Sequence, residues 1–337
     1  MNVRKHVRLI VALLLSTCLF VYLFAKYGTA RTLASFKEIE HWHLLAAILV
    51  AVISNVIVSS EQWRCALAAA GCPISFRESV FLKLSIYPIK GVLPLKSGEY
   101  LRAGYLKVQH NFPWVKAIGS VTFALAINAY LILLTSTVCC VLSFAELGWR
   151  SGQLAVVRHV FPFLAVATLL ATIGGLLIVA TTLGQRAFLA LAGRASLSLR
   201  TKLAEQLVSF EAVGLRRSLP AVFYGICALY MDILVYYLLV NGLGVRVPLV
   251  AVFTFVPITI ILTNLPVSIF GLGVREASLL FFLSSYVPKG TVENLEHRLI
   301  ASGVLFSVVD YLLFAAIGLL LVKRLIDRIT GDPAQAD

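Results

Sequence analysis

The sequence is poor in charged side chains, and this shortage excludes an ordinary soluble fold. Only 13% of its 337 residues are charged, against about 25% in soluble domains. Hydrophobic residues make up 60% of the chain, and apolar runs reach the roughly 20 residues that span a bilayer core. A large soluble core would show shorter runs broken by polar loops. The composition therefore predicts an all-α, polytopic membrane protein.

Acidic residues are scarcer than basic ones, with 16 Asp and Glu against 29 Lys and Arg. No module combines aromatic with basic residues in the manner of nucleic-acid-binding proteins, so we expect no nucleic-acid partner. In a membrane protein, Lys and Arg are retained in cytoplasmic loops and fix the topology. Basic residues near the membrane also attract anionic lipid head groups.

Cysteine is also scarce, with six residues and no CxxC pair. Most of these cysteines lie in apolar spans, where cysteine acts as a small hydrophobe, so we expect no disulfide framework. The HWH stretch at 41–43 lacks the further ligands of a metal site. Because a P-loop, a Ser-His-Asp set and a zinc protease motif are all missing, we expect no metal, no cofactor and no catalytic residues.

Six uninterrupted apolar spans and two interrupted regions organise the chain, which we treat as a single integral membrane domain over 1–337. The spans fall at about 8–26, 43–70, 117–145, 159–182, 218–241 and 300–322. A signal peptide is the alternative for the first span, but its apolar core from Leu9 to Ala25 exceeds the usual h-region of roughly 7–15 residues. The interrupted regions, about 79–110 and 248–287, contain Pro, Gly and charge, and we interpret them as broken hairpins.

Basic clusters at the N-terminus, at 183–217 and at the C-terminal end predict that all three are cytoplasmic. Segment 183–217 is an amphipathic helix along the membrane surface or a solvated connecting helix. With both termini cytoplasmic, the number of crossings is even. Six spans give an even number if each hairpin enters and leaves the membrane on the same side. The first hairpin would enter from the cytoplasm and the second from the outside, which is an inverted repeat. A topology with eight spanning helices would place segment 183–217 outside the cell. Its many basic residues argue against that location.

The two interrupted regions share a pattern of helix breakers. The first reads GVLPLKSGEYLRAGYL over 91–106, and the second reads NLPVSIFGLGVREASLL over 264–280. The breakers are Pro94, Gly98, Pro266, Gly271 and Gly273. Proline removes a backbone donor, and backbone groups freed by a break must face protein or a watery cavity rather than lipid. Paired breaks of this kind point to the binding site of a transporter.

Charged residues accompany both breaks, and we interpret them as head-group ligands. They are Lys90, Lys96, Glu99, Arg102, Arg275 and Glu276. A restarted half-helix also aims its N–H groups at an anion. The alternatives are that the Glu–Arg pairs are buried ion pairs that hold kinked helices together, and that the lysines extend to the cytoplasmic head groups.

Three other charged residues lie inside or beside apolar spans. Asp232, Asp310 and Arg64 are candidates for proton carriage or ion pairing, because ionisable residues within a span are functional candidates by default. The alternative for the two acids is a hydrogen-bonded packing role.

The motifs LP-x-x-x-GE-x-x-RA and LP-x-x-x-x-GLG-x-REA resemble the membrane domain of bacterial lysylphosphatidylglycerol synthases. That domain also occurs alone in flippase-like proteins, which include hopanoid-biosynthesis-associated membrane proteins. The resemblance implies a bacterial plasma membrane location and movement of lipid between leaflets. It does not imply aminoacyl transfer, since the chain ends at Asp337 without room for the soluble synthase domain.

These features favour a transporter of an anionic lipid of the phospholipid or prenyl-phosphate type, rather than an enzyme. One alternative is a membrane enzyme, of the glycosyl or phosphoryl transferase type, acting on a lipid-linked substrate. The other is a non-catalytic subunit that has a lipid-biosynthesis enzyme as its partner.

Overall fold

The computed structural model describes residues 21–22, 25, 29–92, 98–147, 155–180, 215–264, 271–287, 292 and 294–330. Within these ranges every regular element is helical, which confirms the all-α prediction. Most of the predicted span 8–26, most of segment 183–217, and the predicted residues Pro94, Lys96 and Pro266 lie outside the described residues.

The described residues contain eleven α-helices and a short 3-10 turn at Ser284–Tyr286. The helices are α1 (Thr29–Lys37), α2 (His41–Ala69), α3 (Phe76–Ser85), α4 (Tyr87–Val92), α5 (Leu101–His110), α6 (Trp114–Leu147), α7 (Ala155–Ala180), α8 (Leu215–Gly242), α9 (Leu249–Asn264), α10 (Val274–Leu283) and α11 (295–330). Two of the long helices contain a π-helical turn, at Ile53–Val58 in α2 and at Ser307–Leu312 in α11.

Four of the described helices are long and apolar enough to cross a membrane, which supports an integral membrane protein. Their qualifying stretches are His41–Ala69, Trp114–Ser143, Arg217–Gly242 and Leu295–Ile329. The predicted span 159–182 falls on α7, where the apolar stretch Arg158–Gly174 is shorter. Large apolar side chains such as Phe163 and Leu320 are 78% and 79% exposed, as expected of surfaces that face lipid.

Two apolar clusters hold the helices together. The larger joins α2, α8, α9, α10 and α11, and stacked aromatic rings lie within it. Tyr236 and Phe306 stack with ring centroids 3.7 Å apart, and Phe255 and Phe282 with centroids 4.9 Å apart. The smaller cluster joins α3, α5, the end of α2 and the start of α6. The first interrupted region therefore has a core of its own.

The helices repeat in two series with nearly equal lengths. α2 has 29 residues and α8 has 28. Next, α3 and α4, with 10 and 6 residues, correspond to α9, which has 16. Helix α5 then corresponds to α10, and each has 10 residues. The long helices α6 and α11 then follow. Gly98 precedes Gly271 by the same number of residues as Arg102 precedes Arg275. The motifs therefore occupy equivalent places in the two series.

We name α3, α4 and α5 the first hairpin, and α9 and α10 the second hairpin. Helix α11 contacts both of them, at different ends. Its first part, Leu295–Phe306, packs against α10, whereas its last part, Leu313–Thr330, packs against α3, α4 and α5. The two hairpins therefore lie toward opposite ends of the same long helix.

Candidate functional site

A cavity of about 180 Å³ lies between the first hairpin and helices α2, α6, α8 and α11. Its charged lining residues are Lys83, Lys90, Glu99, Arg102, Asp232 and Asp310. Five of these six were predicted as site residues from the sequence, and the fold brings them together from three separate parts of the chain. Ionisable groups gathered inside a bundle of apolar helices indicate a functional site.

Gly98 closes the first hairpin. A Cβ added at this position would lie 2.7 Å from Cα and 2.9 Å from N of Lys90. The two arms of the hairpin therefore approach through their backbones, and only glycine allows that distance. This approach places Lys90 on one arm beside Glu99 on the other, so the breaker predicted from the sequence positions two of the charged residues.

Glu99 and Arg102 form a buried ion pair, three residues apart at the start of α5. Their side chains are only 10% and 5% exposed. The guanidinium also stacks on the indole of Trp63 in α2, with Cζ 4.7 Å from the ring centroid. A buried ion pair needs such additional contacts because desolvation of both charges is costly. Arg102 is thus fixed at the cavity wall by contacts with two elements.

Lys90 is held by aromatic faces. Its Nζ lies 3.4 Å from the ring centroid of Tyr87 and 5.9 Å from that of Tyr311. The Tyr311 hydroxyl in turn donates to the backbone carbonyl of Tyr87. Cation–π contacts of this kind attract a lysine ammonium and gain strength where water is excluded. The contacts therefore keep the ammonium of Lys90 near the cavity it lines.

Two acids from other helices, Asp232 in α8 and Asp310 in α11, also line the cavity. Ser54 Oγ donates to Asp232 Oδ1 at 2.8 Å, and Asn55 Nδ2 donates to Asp310 Oδ1 at 2.7 Å. The Tyr87 hydroxyl donates to Asn55 Oδ1, which completes a link from the first hairpin to α11. Asn55 and Asp310 both lie in the π-helical turns of their helices. Such turns are frequent at functional sites.

The cavity is consequently bipolar. The first hairpin contributes three cations and one acid, Lys83, Lys90, Arg102 and Glu99, whereas α8 and α11 contribute the acids Asp232 and Asp310. Amide side chains line the cavity as well, and Gln62 Nε2 donates to Asn128 Oδ1 at 2.7 Å. The first hairpin therefore offers cations to an anionic group, and α8 and α11 contribute hydrogen-bond acceptors.

The second motif has a different environment. Arg275 is 8% exposed, its NH1 donates to Ser307 Oγ, and its Cζ lies 5.0 Å from the ring centroid of Phe306. Glu276 is fully buried, and its Oε2 accepts from the backbone N–H of Gly273 at 2.6 Å. Neither side chain is among the described residues that line the cavity. The structure therefore brings Glu99 and Arg102 into the cavity but not Arg275 and Glu276.

The glycines of the second motif form its turn. Gly271 has a φ of +73° and Gly273 a φ of +80°, in the region that side-chain-bearing residues avoid. A Cβ at Gly271 would lie 3.0 Å from Cβ of Thr263. Gly273 is the N-cap of α10, and Glu276 is its N3 residue. An acid at N3 that accepts from the N-cap N–H stabilises the start of a helix.

Arg64 lies on the outer face of α2, away from the cavity. It pairs with Glu61, and its Nε donates to Glu61 Oε2 at 2.7 Å. The arginine side chain is 36% exposed. Its neighbours Gln62 and Trp63 line the cavity instead, because residues one or two positions away point to another face of a helix.

Several residues that line the cavity were not predicted from the sequence. Asn55, Ser59 and Gln62 line the cavity together with Trp63, and Asn128 lines it as well. A signal for the first three was present. Asn55, Ser59 and Gln62 are spaced by four and three residues in an otherwise apolar span, which places them on one helical face.

Comparison with known proteins gives the chain a family. Residues 9–318 match the family described as lysylphosphatidylglycerol synthase TM region. No curated protein matches the chain. The family match covers most of the 337 residues and confirms the resemblance found in the two motifs. The protein belongs to the lysylphosphatidylglycerol synthase TM region family.

Proposed function

We propose that this protein moves a lipid with an anionic, phosphate-bearing head group between the leaflets of a bacterial plasma membrane. The observation that carries the proposal is the charged cavity, which Lys83, Lys90 and Arg102 of the first hairpin line within an apolar helical bundle. A charged head group crosses a bilayer at high cost unless protein groups replace its water. The cavity supplies such groups, and family membership supports a membrane lipid-related role.

The short helices of the hairpins support re-entrant segments. α3, α5 and α10 have 10 residues each, and a helix of that length extends about 15 Å. This is half of the roughly 30 Å hydrocarbon core. The contacts of the hairpins with opposite ends of α11 fit entry from opposite sides, as in an inverted repeat.

The arrangement also fits the orientation derived from the basic residues. Lys323, Arg324 and Arg328 lie near the end of α11. At that end Gln109 in α5 donates to the backbone carbonyl of Arg328. The base of the first hairpin and the C-terminal end of α11 therefore share one side, which is the cytoplasmic side under the positive-inside rule. We therefore propose six spans and two re-entrant hairpins, with both termini in the cytoplasm.

Transport suits the site better than catalysis. A membrane transferase would need a carboxylate available as an acid or base beside the phosphate, and Glu99 is instead paired with Arg102. Asp232 and Asp310 both accept hydrogen bonds from α2 side chains. We therefore place their role in positioning the walls of the cavity and in charge balance.

Reconstitution tests this proposal. The purified protein is incorporated into liposomes with a fluorescent phosphatidylglycerol, and the accessible probe is bleached with a membrane-impermeant reductant. We expect the wild-type protein to expose the inner-leaflet probe and Arg102→Ala to lose this activity, with Arg64→Ala as the matched control on the same bundle. Liposomes with wild-type protein that behave like protein-free liposomes would contradict the proposal.

A further inference from the structure

Two hydrogen-bond donors beside the first hairpin lack an acceptor among the described residues. They are the indole Nε1–H of Trp63 and the Nε–H of Arg102. Both residues line the cavity, and they are only 2% and 4% exposed. Buried donors are almost always satisfied in native proteins, so this pair requires an explanation.

The two donors belong to one rigid unit. The Arg102 guanidinium lies against the Trp63 ring, with Cζ 4.7 Å from the ring centroid. Its NH2 is already engaged by Glu99. The stacking and the ion pair set the position of the guanidinium, and its Nε–H remains for a third partner. Trp63 is itself packed in the smaller apolar cluster, so its ring has little freedom to turn away.

The missing partner must be an acceptor, because an indole N–H and a guanidinium can only donate. The carboxylates of the cavity are engaged elsewhere: Glu99 by Arg102, Asp232 by Ser54 and Asp310 by Asn55. Lys83 and Lys90 line the same cavity, and their ammonium groups can also bind an anion. A phosphate has several acceptor oxygens and forms strong, charge-assisted bonds with arginine.

We propose that Trp63 and Arg102 form a phosphate clamp, in which Trp63 Nε1 and Arg102 Nε donate to oxygens of the phosphate ester in the lipid head group. This inference rests on the proposed function and adds a direct ligand that the sequence alone did not suggest. Lys83 and Lys90 provide the surrounding positive charge, and the acyl chains play no part in the clamp.

Trp63→Phe tests the clamp, because it removes the N–H and keeps an aromatic ring beneath Arg102. The matched control is Thr259→Val. Thr259 Oγ1 is also buried without an acceptor or donor among the described residues, but Thr259 is not among the described lining residues. Binding to each purified variant is measured by titration calorimetry with three probes: dioctanoyl phosphatidylglycerol, glycerol 3-phosphate and dioctanoylglycerol.

We expect Trp63→Phe to bind dioctanoyl phosphatidylglycerol at least about tenfold more weakly, as the loss of one hydrogen bond to a charged group implies. Thr259→Val should bind it like the wild type, and dioctanoylglycerol should not distinguish the variants. If Trp63→Phe weakens the binding of glycerol 3-phosphate by the same factor as that of dioctanoyl phosphatidylglycerol, the result supports the clamp and shows that phosphate alone is recognised.

A second measurement leaves Trp63 unchanged. The chain has four tryptophans, and the variant Trp42→Phe, Trp114→Phe, Trp149→Phe retains only Trp63. We expect its emission to shift on addition of dioctanoyl phosphatidylglycerol but not of dioctanoylglycerol. An unchanged emission counts against the clamp.

The outcomes separate the clamp from the proposed function. Wild-type affinity in Trp63→Phe overturns the clamp, while the proposed function stands if the wild-type protein still scrambles lipid and Arg102→Ala does not. If the wild-type protein binds neither phosphate-bearing probe, the clamp and the proposed head-group site both fail.

Discussion

The two hairpins place an arginine at equivalent positions and surround it differently. Arg102 in the first hairpin lines a cavity with three acids and two lysines, whereas Arg275 in the second bonds to Ser307 and lies on Phe306. The shared arginine therefore does not by itself define a binding site. What differs is the part of α11 that each hairpin packs against and the polar residues that surround each arginine.

The position of the acid explains part of the difference. Glu99 precedes its arginine by three residues, so both side chains share one face and form an ion pair. Glu276 directly follows its arginine, and at the N3 position of α10 it turns back to cap Gly273. The same pair of residue types thus produces a cavity wall in one hairpin and a helix cap in the other.

The largest expected effect comes from the glycine that closes the first hairpin. Gly98→Ala brings a Cβ to 2.7 Å from the Cα of Lys90, and backbone atoms cannot move aside as a side chain can. We expect a loss of about 3 kcal/mol of stability, the upper end for overpacking, with loss of lipid scrambling. Thermal unfolding in detergent measures the first effect.

Gly104→Ala is the control for this substitution, because a Cβ at Gly104 meets nothing within 4 Å. The added methyl group should leave the unfolding midpoint unchanged or raise it, since alanine favours helix over glycine. If both variants unfold at the same temperature, the close approach of the two arms is wrong.

The second prediction contrasts the roles of the two acids. Glu276→Ala leaves the Gly273 N–H without its acceptor and opens a cavity in a fully buried position. We expect a loss of about 2 kcal/mol, as for an unsatisfied buried group. Glu276→Gln keeps a carbonyl oxygen for the same hydrogen bond and should be close to the wild type in both stability and transport.

Glu99→Gln should behave in the opposite way to Glu276→Gln. The amide removes the charge that balances Arg102, so we expect scrambling to fall about tenfold or more, because a buried charge loses its partner. Reconstitution of both glutamine variants side by side measures the contrast. Equal activity of the two would remove the functional distinction between the hairpins.

The smallest effect is expected at Arg64, which belongs to neither hairpin. Its side chain is 36% exposed and pairs with Glu61, and surface pairs of this kind contribute little. Arg64→Ala should change stability by less than about 0.5 kcal/mol and leave scrambling intact. A loss of transport in this variant would mean that the outer face of α2 contributes to the pathway.

The sequence predicted the helical class and the charged residues at the first break, and the reasons are local. Proline and glycine interrupt an apolar run, and the spacing of Glu99 and Arg102 fixes a shared face. The cavity itself depends on contacts between distant segments. Asn55 in α2 donates to Asp310 in α11, and no spacing within one segment encodes that contact.

The surroundings of the second motif could not be predicted from the sequence either. Arg275 and Glu276 have the residue types of a head-group site, and their surroundings are set by Ser307 and Phe306 in a later helix. In the sequence around Trp63, the charges belong to its neighbours Glu61 and Arg64. Which of these neighbours faces the cavity depends on how the helices pack and not on residue type.

The central claim is that the cavity beside the first hairpin holds a phosphate-bearing lipid head group. Native mass spectrometry of the protein after gentle extraction tests it most directly, since it weighs the lipid that stays bound. We predict that the wild-type protein and Arg64→Gln retain such a lipid and that Arg102→Gln does not. Retention of the same lipid by Arg102→Gln at the wild-type level would contradict the account.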